Sequence, residues 1–488
     1  MNEPIRSVVV IGGGLVGLSA ALGFARALPR AEVSLVGVPL PPDALADRLP
    51  ATLPGSRAIL ARIGVDEADL LRSGGATHRI ADRFAGWRAQ GGTWLHGFGE
   101  TGMSLGSGAF HQSWLDARRA GAATMFDRFS PAAALAEAGR FVDPVDDPRS
   151  LLSRFDYALR LDPVVATRGF AARAQRVGIA MAAGQVEAVS RHADGDVAGV
   201  RLAGGRTLAA DLYVDCSGSA AILGAPEEWV EWGDALPVDR LLLAEGPAAP
   251  SPLDDYAANE AGWRAVWPLA DRTLWGLGYA GAITPEARAR RIMGPAGAVA
   301  EAIAIRPGRR RSAWRGNVLA LGDAAAACGP LGWAGLALAQ ANLALALDLL
   351  PGRDLHPLLL AEYNRRAGMR ADRVRDFLAL HYLAASRTAG PFWRQVREAV
   401  PPPDVAHAIA MFLRHGQLPR HDEELYDKHS WLAVLLGLGL VPAHRDPMAT
   451  DAPGDARTAA MAQLQAAVAA LPTSLPAYRD YLARVVAA

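Results

Sequence analysis

Residues 7–17 read Ser7-Val-Val-Val-Ile-Gly-Gly-Gly-Leu-Val-Gly17, and this stretch decides the fold. Ser7 to Ile11 is a β-branched apolar run, which suits a strand buried on both faces. Gly12, Gly14 and Gly17 follow in Gly-x-Gly-x-x-Gly spacing, and the Ala- and Leu-rich segment Leu18 to Leu28 predicts a helix. Glu32 to Val38 predicts a second buried strand and completes a βαβ unit. Gly12 allows the tight turn, Gly14 lets the backbone approach a pyrophosphate at the helix N-terminus, and Gly17 lets helix and strand pack closely. Leu15 and Val16, in the same turn, belong to the expected cofactor-binding set. One part is missing. An acid that would bind a ribose normally ends the second strand, and here that place reads Val36-Gly37-Val38, with Asp43 and Asp47 in the Pro-rich loop beyond. Arg6 and the apolar run after it resemble the start of a signal peptide, but the glycine pattern accounts for them better.

Two further segments extend the nucleotide site. Residues 184–216 predict a three-stranded meander that ends in Asp215-Cys-Ser-Gly218. Asn317 to Asp323 predicts a buried strand ending in Gly-Asp, followed by a small-residue run and a long apolar helix, Leu336 to Leu350. The set points to an α/β protein of the two-dinucleotide-binding-domain flavoprotein fold, with a mixed-sheet substrate region and a helical C-terminal part. The expected division is an FAD-binding domain over 1–350, with FAD elements near 5–38, 184–218 and 314–350 and substrate-region insertions between them. A helical capping region over 351–488 completes it.

The 488 residues are 51% hydrophobic and 20% charged, which supports a large core and excludes global disorder. Lys plus Arg equals Asp plus Glu at 50 each, so no basic excess points to nucleic acid. Two cysteines, Cys216 and Cys328, exclude a disulfide scaffold and a Cys-rich zinc site, and no metal is expected. The apolar run from Trp431 to Pro442 is too short to span a bilayer. The expectation is a cytoplasmic protein.

Beyond this frame, several stretches resemble the flavin-dependent tryptophan halogenases, nearly end to end. They are Ala51-Thr-Leu-Pro54, Arg79-Ile-Ala-Asp-Arg-Phe-Ala-Gly-Trp87, Leu95-His-Gly-Phe-Gly99 and Asp211-Leu-Tyr-Val-Asp-Cys-Ser-Gly218. Further on are Gly262-Trp-Arg-Ala-Val-Trp-Pro268, His381-Tyr382 with Ser386-Arg387, Pro391-Phe-Trp393, and Trp431-Leu before Gly437-Leu-Gly439. The resemblance implies FAD, supplied reduced by a separate flavin reductase, with chloride or bromide as the candidate halide. In that family hypohalous acid travels to a lysine and a glutamate beside an aromatic substrate. Asp323 falls on the family's aspartate for the flavin ribityl chain. Val186, Ala334, Gly335 and Leu336 fall on its other cofactor contacts, and His96, Phe98 and Trp431 on its aromatic substrate box.

The departures fall on the chemistry. Arg79 stands at the lysine's place, and an arginine with a pKa above about 12 cannot act as a nucleophilic amine. The glutamate's stretch reads Gly329-Pro-Leu-Gly332-Trp-Ala-Gly335, the tunnel motif reads Trp263-Arg-Ala265-Val-Trp267-Pro268, and the family's Gly-Val-Gly-Glu flavin strap reads Asp47-Arg-Leu-Pro50. The expectation is therefore an FAD-dependent oxidoreductase that oxidises an aromatic small molecule, or the aromatic side chain of a larger substrate, with Arg79 as the candidate catalytic residue. Its rivals are a halogenase that works through Arg79 and an inactive binding module. The plain alternative for Arg79 is a buried arginine paired with an acid. Glu100 and His96 are the acids and bases left near the lost glutamate, and a homodimer is left open.

Overall fold

A computed structural model describes residues 3–104, 109–224, 228–447 and 454–487. The chain forms two compact units, each built from three segments. Unit 1 is Met1–Ala76, Leu159–Gly233 and Ile303–Arg375, and unit 2 is Thr77–Ala158, Asp234–Ala302 and Asp376–Ala488. The sequence pattern suggests one linear boundary near residue 350, whereas compactness interleaves the segments.

The core of unit 1 is a six-stranded sheet. Its order is Trp314–Arg315, Val318–Ala320, Leu212–Asp215, Ser7–Ile11, Glu32–Gly37, Ala180–Ala183. All neighbours run parallel except the Trp314–Arg315 edge. The Val8, Val10, Leu35 and Val214 side chains are buried, as parallel strands covered on both faces require. The chain leaves the central strand Ser7–Ile11 with a neighbour on either side, the place where ligands enter open α/β sheets. The helix Leu15–Ala27 begins there and packs against the apolar helix Ala334–Asp348. The meander is present but shorter than expected. Val186–Arg191, Val197–Leu202 and Thr207–Leu208 form a separate antiparallel sheet, and Leu212–Asp215 joins the parallel one. Its apolar Leu-Tyr-Val run suits full burial, whereas the Thr207–Leu208 strand is only half covered.

In unit 2 the strands Arg240–Pro247, Arg272–Tyr279, Gly262–Pro268, Leu253–Asn259, Ala81–Ala85 and Thr93–Gly97 lie side by side. Only Leu253–Asn259 and Ala81–Ala85 pair parallel, so the sheet is mixed. Past residue 351 the described elements are helices, from Pro357–Leu383 to Tyr478–Ala487. Among the described residues no helix is long and apolar enough to cross a membrane, and no cluster of His, Cys, Asp and Glu is placed to hold a metal ion.

The turn after Ser7–Ile11 leaves no room for a side chain at its first glycine. Gly12 has φ +141°, and a Cβ there would lie 2.2 Å from the Cys216 carbonyl oxygen. Gly12→Ala should therefore cost about 2–5 kcal/mol from strain plus overlap, read as a lower midpoint in chemical denaturation. An unchanged midpoint would show that the turn relaxes freely.

Candidate active site

In unit 1 the nucleotide elements converge. Gly17 sits so close to the turn that a Cβ would lie 2.1 Å from the Gly12 carbonyl oxygen, the close helix–strand packing expected of that glycine. The N-cap of helix Leu15–Ala27 is Gly14, which has no side chain to satisfy the first N–H groups. Asp47 does so instead: Val16 N–H donates to its Oδ1 at 2.8 Å, and Leu15 N–H contributes as well. A Cβ on Gly14 would lie 2.3 Å from that oxygen. Burial lifts the Asp47 carboxyl to about 7, against the pull of the two amides. Asp47 was expected in a plain loop. It lies in a one-turn helix, Leu45–Arg48, at the mouth of the glycine turn.

Asp323 follows Val318–Ala320 in the turn Gly322–Ala324, and its Oδ2 accepts the Ala46 N–H at 2.8 Å. Burial, then the neighbouring Asp47 and Asp43, raise its pKa well above the carboxylate range. A cavity of about 210 Å³ beside it is lined by Asp43, Ser219, Trp229, Arg306 and Arg310. Gly335 lies at the start of helix Ala334–Asp348, where a Cβ would stand 3.0 Å from the Ala46 Cα; Ala334 and Leu336 are buried beside it. Val186 sits apart, half-buried against the core that holds Val197 and Tyr213. Asp215 accepts from Ser217 and from the Leu223 N–H, so its acid shapes the Asp-Cys-Ser-Gly turn. Both cysteines are buried, with their thiol pKa values raised.

The donor set suits an anionic cofactor. A carboxyl group from the chain already rests on the helix amides that would hold a pyrophosphate, and Gly12 and Gly17 give the required close approach. Gly37 offers no ribose acceptor, and Asp43 is instead bonded by the Ser219 hydroxyl. FAD would thus be held by Gly12, Gly14, Leu15, Val16, Gly17 and Asp323.

In unit 2 the register builds a row of charged groups. Asp254 pairs with Asp82 on the parallel side, and Asp82 with His96 on the antiparallel side. Arg79, at the end of strand Ala76–Arg79, is 1% exposed. Its Nη2 donates to both Asp82 oxygens at 2.7 and 2.9 Å, and its Nε lies 2.6 Å from Asp254 Oδ2. Its guanidinium carbon also stands 5.1 Å from the centre of the Phe98 ring. Burial works against the Arg79 charge, but Asp82 and Asp254 outweigh it, so the guanidinium holds its proton more tightly than usual. His96 Nδ1 is 3.7 Å from Asp82. Burial first, then His381 and Arg79, lower its pKa to about 3 and keep the ring neutral. Glu100 is paired with Arg154 at 2.7 Å.

His96, Phe98 and Trp431 are all buried. His96 lies 5.3 Å from Phe98 and 5.8 Å from Phe377, and Phe377 meets Trp431 at 5.6 Å between centroids. Phe377 is itself stacked on Tyr426 at 3.8 Å, so the box is joined through a residue that the sequence did not single out. Trp431 faces open space. With Tyr426, Glu424, Lys428, Arg420 and Leu418 it lines a cavity of about 470 Å³. Trp431 is set by helix Lys428–Gly437, capped by Asp427, and its indole N–H donates to Glu424 at 3.0 Å. Trp263 and Trp267 are packed and satisfied: Trp263 donates to the Tyr382 hydroxyl and Trp267 to that of Tyr256. Asp82 as the partner of Arg79, and Asp254, Phe377 and Tyr426, were not singled out: Asp82 is only three residues from Arg79 but no motif marks the pair, and the others arrive from distant segments.

Residues 7–454 match the family described as tryptophan halogenase. The chain is 27% identical to tryptophan 7-halogenase RebH of Lentzea aerocolonigenes, with 93% of each chain covered. It is 26% identical to tryptophan 6-halogenase SttH of Streptomyces toxytricini, covering 98% of this chain and 97% of that one. Among solved structures, BrvH, a flavin-dependent halogenase from Brevundimonas sp. BAL3, superposes with TM-score 0.91 at 31% identity over 99% of both chains. Xcc4156, a flavin-dependent halogenase from Xanthomonas campestris, does so with TM-score 0.90 at 27% identity, again over 99% of each.

The buried ion cluster sets a stability test. Arg79→Met leaves two carboxylates buried without their cation and should cost about 3–5 kcal/mol at pH 8. Chemical denaturation at pH 8 checks this, and an unchanged midpoint would show that the acids are not stranded.

Proposed function

Since the chain belongs to the tryptophan halogenase family, we propose that this halogenase-like enzyme oxidises an aromatic group seated against Trp431, without amine-dependent halogen transfer at position 79. The observation that carries the reading is the grip of Asp82 and Asp254 on Arg79. A free ammonium or guanidinium can donate to hypohalous acid. Here the guanidinium points N–H groups into two carboxylates, in a cluster holding one more acid than base.

Reduced flavin, when bound, supplies the two electrons. With those electrons, one atom of O2 enters the ring as a hydroxyl and the other leaves as water. Trp431 and Tyr426 offer flat apolar faces to an aromatic ring, and Glu424 fixes the Trp431 indole through its N–H. The cavity is larger than an indole needs, which favours a ring carried on a larger substrate. His96 stays neutral at working pH and is too weak a base to hold the ring proton. The two further Gly-x-Gly-x-x-Gly matches, residues 97–102 and 276–281, fall at the end of or within antiparallel-paired strands rather than in a βαβ unit that would seat a nicotinamide donor, which supports a separate flavin reductase as partner.

The test supplies a flavin reductase, O2 and a panel of indoles and phenols, free and peptide-borne, with and without bromide. Oxygenated product that forms without halide is expected. Efficient bromination would overturn the reading and favour the halogenase that works through Arg79. Bound flavin with no turnover of any ring would favour the binding module. Trp431→Ala should weaken binding of the preferred aromatic about tenfold, measured by calorimetry, and no effect would place the ring elsewhere.

Lys428 is the chain's only lysine, and it lies on the same cavity. Any side-chain amine chemistry must therefore use it. Lys428→Arg is expected to leave the oxidation rate within about twofold, because no step in this reading uses an amine. A loss of halogenation in Lys428→Arg would reveal a displaced amine mechanism.

A further inference from the structure

The segment 44–49 touches each element of the flavin site in unit 1. Asp47 Oδ1 accepts the Val16 N–H at 2.8 Å, at the start of helix Leu15–Ala27. Ala46 N–H donates to Asp323 Oδ2 at 2.8 Å, the carboxyl that the ribityl chain would meet. Ala46 also closes on Gly335, where a Cβ would lie 3.0 Å from its Cα. Ala44 closes on Gly218 of the Asp-Cys-Ser-Gly turn, where a Cβ would lie 2.9 Å from its Cβ. The space that Gly14 leaves open, which in such βαβ units admits a pyrophosphate, is filled to within 2.3 Å of a Cβ by Asp47 Oδ1.

We propose that residues 44–49 form an autoinhibitory strap, in which Asp47 takes the place of the cofactor's pyrophosphate on the first helix, so that flavin must displace it to bind. The inference rests on the flavin reading and adds a regulation that this reading does not require. The helix amides can donate to one anion at a time, whereas the Asp323 carboxyl keeps further lone pairs for a ribityl hydroxyl. A ligand that needs the amides competes with Asp47, and its apparent affinity falls by the fraction of time the strap is closed.

The competition depends on pH. Asp47 is faced by the Leu15 and Val16 amides, by the Asp323 carboxyl, on which Asp43 also acts, and by the Cys216 thiol. Arg48 beside it turns to the Pro42 carbonyl, and helix Ala334–Asp348 brings uncharged Gly335 against the segment. Burial lifts Asp47 to about 7, whereas a solvated aspartate loses its proton near about 4. The raised value means that the closed strap is favoured by proton uptake. That advantage is complete below about pH 4 and is lost as pH rises through about 7. Opening at pH 5 releases a proton, and opening at pH 8 does not. Flavin affinity should rise between those values, by up to about tenfold per pH unit, and level off above pH 7.

The experiment titrates oxidised FAD into the apoprotein, Asp47→Ala and Asp47→Asn, following flavin fluorescence from pH 5 to pH 8. Asp47→Ala removes the plug and should bind about 10- to 100-fold tighter than the unmodified chain at pH 5, the range of one charge-assisted hydrogen bond, with no pH slope. Asp47→Asn keeps a neutral acceptor of the same shape. It should hold the low-pH affinity of the unmodified chain at every pH. It also covers the case in which Asp47→Ala fails to fold: a lost slope supports the strap, and a retained slope overturns it. Equal or weaker binding by folded Asp47→Ala overturns the proposal while leaving the flavin reading intact. If none of the three proteins binds FAD at millimolar concentration, the flavin reading itself fails and takes the strap with it.

Discussion

The first turn of helix Leu15–Ala27 must be met by something negative. Its amides emerge at the carboxyl end of a central parallel strand, in a buried turn with no side chain at the N-cap, and unpaired amides in such a place cost about 1–3 kcal/mol each. The glycines of the turn serve this requirement. They clear space for an anion, and the same clearance lets the helix sit against the sheet. The Leu45–Arg48 turn, the placing of Asp323 and the tight start of helix Ala334–Asp348 follow from what occupies that space. The chain supplies the occupant itself through Asp47. This satisfies the amides and also explains how a buried carboxyl persists far from any ordinary ion pair.

Unit 2 meets the opposite problem, a buried cation. Strand register puts Asp254, Asp82 and His96 in one row, and Arg79 reaches over that row. A buried ion pair gains little net stability, but removing one partner is expensive. Such a cluster therefore holds its geometry firmly without being a large source of folding energy. That rigidity bears on chemistry. A residue whose donors are committed to two acids is poorly placed to donate to a travelling oxidant, whatever its charge.

The architecture was largely legible because it depends on local pattern. The β-branched run Ser7–Ile11 and its glycine spacing determine a strand and a turn from a dozen residues, and the observed helix starts within three residues of the expected one. The apolar helix Ala334–Asp348 was readable for the same reason. The third arm of the meander was read as one strand. It splits into Thr207–Leu208 and Leu212–Asp215 because only the second is apolar enough to enter the buried sheet. The site was less legible. Asp82 is close to Arg79 in sequence, but the pairing depends on the chain turning at Ile80 between two short strands. Asp254 arrives from a different segment altogether. Phe377 and Tyr426 complete the aromatic cluster from helical and loop positions that have no motif of their own. The plain alternative for Arg79, a buried arginine paired with an acid, describes its contacts.

Composition also limits what Arg79 can mean. Lys428 is the only lysine, so every other cation at neutral pH is an arginine or the chain's N-terminus. In such a chain arginine stands wherever a cation is needed, and its presence at position 79 carries little information by itself. The information lies in what surrounds it. A bare exchange of lysine for arginine in an apolar pocket would leave a cation seeking an anion, and hypohalous acid or halide could answer. Two carboxylates within hydrogen-bonding reach answer it first. The same logic applies to Asp47 in the other unit, where an acid rests on the first amides of helix Leu15–Ala27. In both places the chain has supplied internally the counter-group that a ligand would otherwise provide. On the readings proposed above, a ligand at either place competes with the protein's own side chains, so that selectivity depends on the strength of a few buried charged contacts.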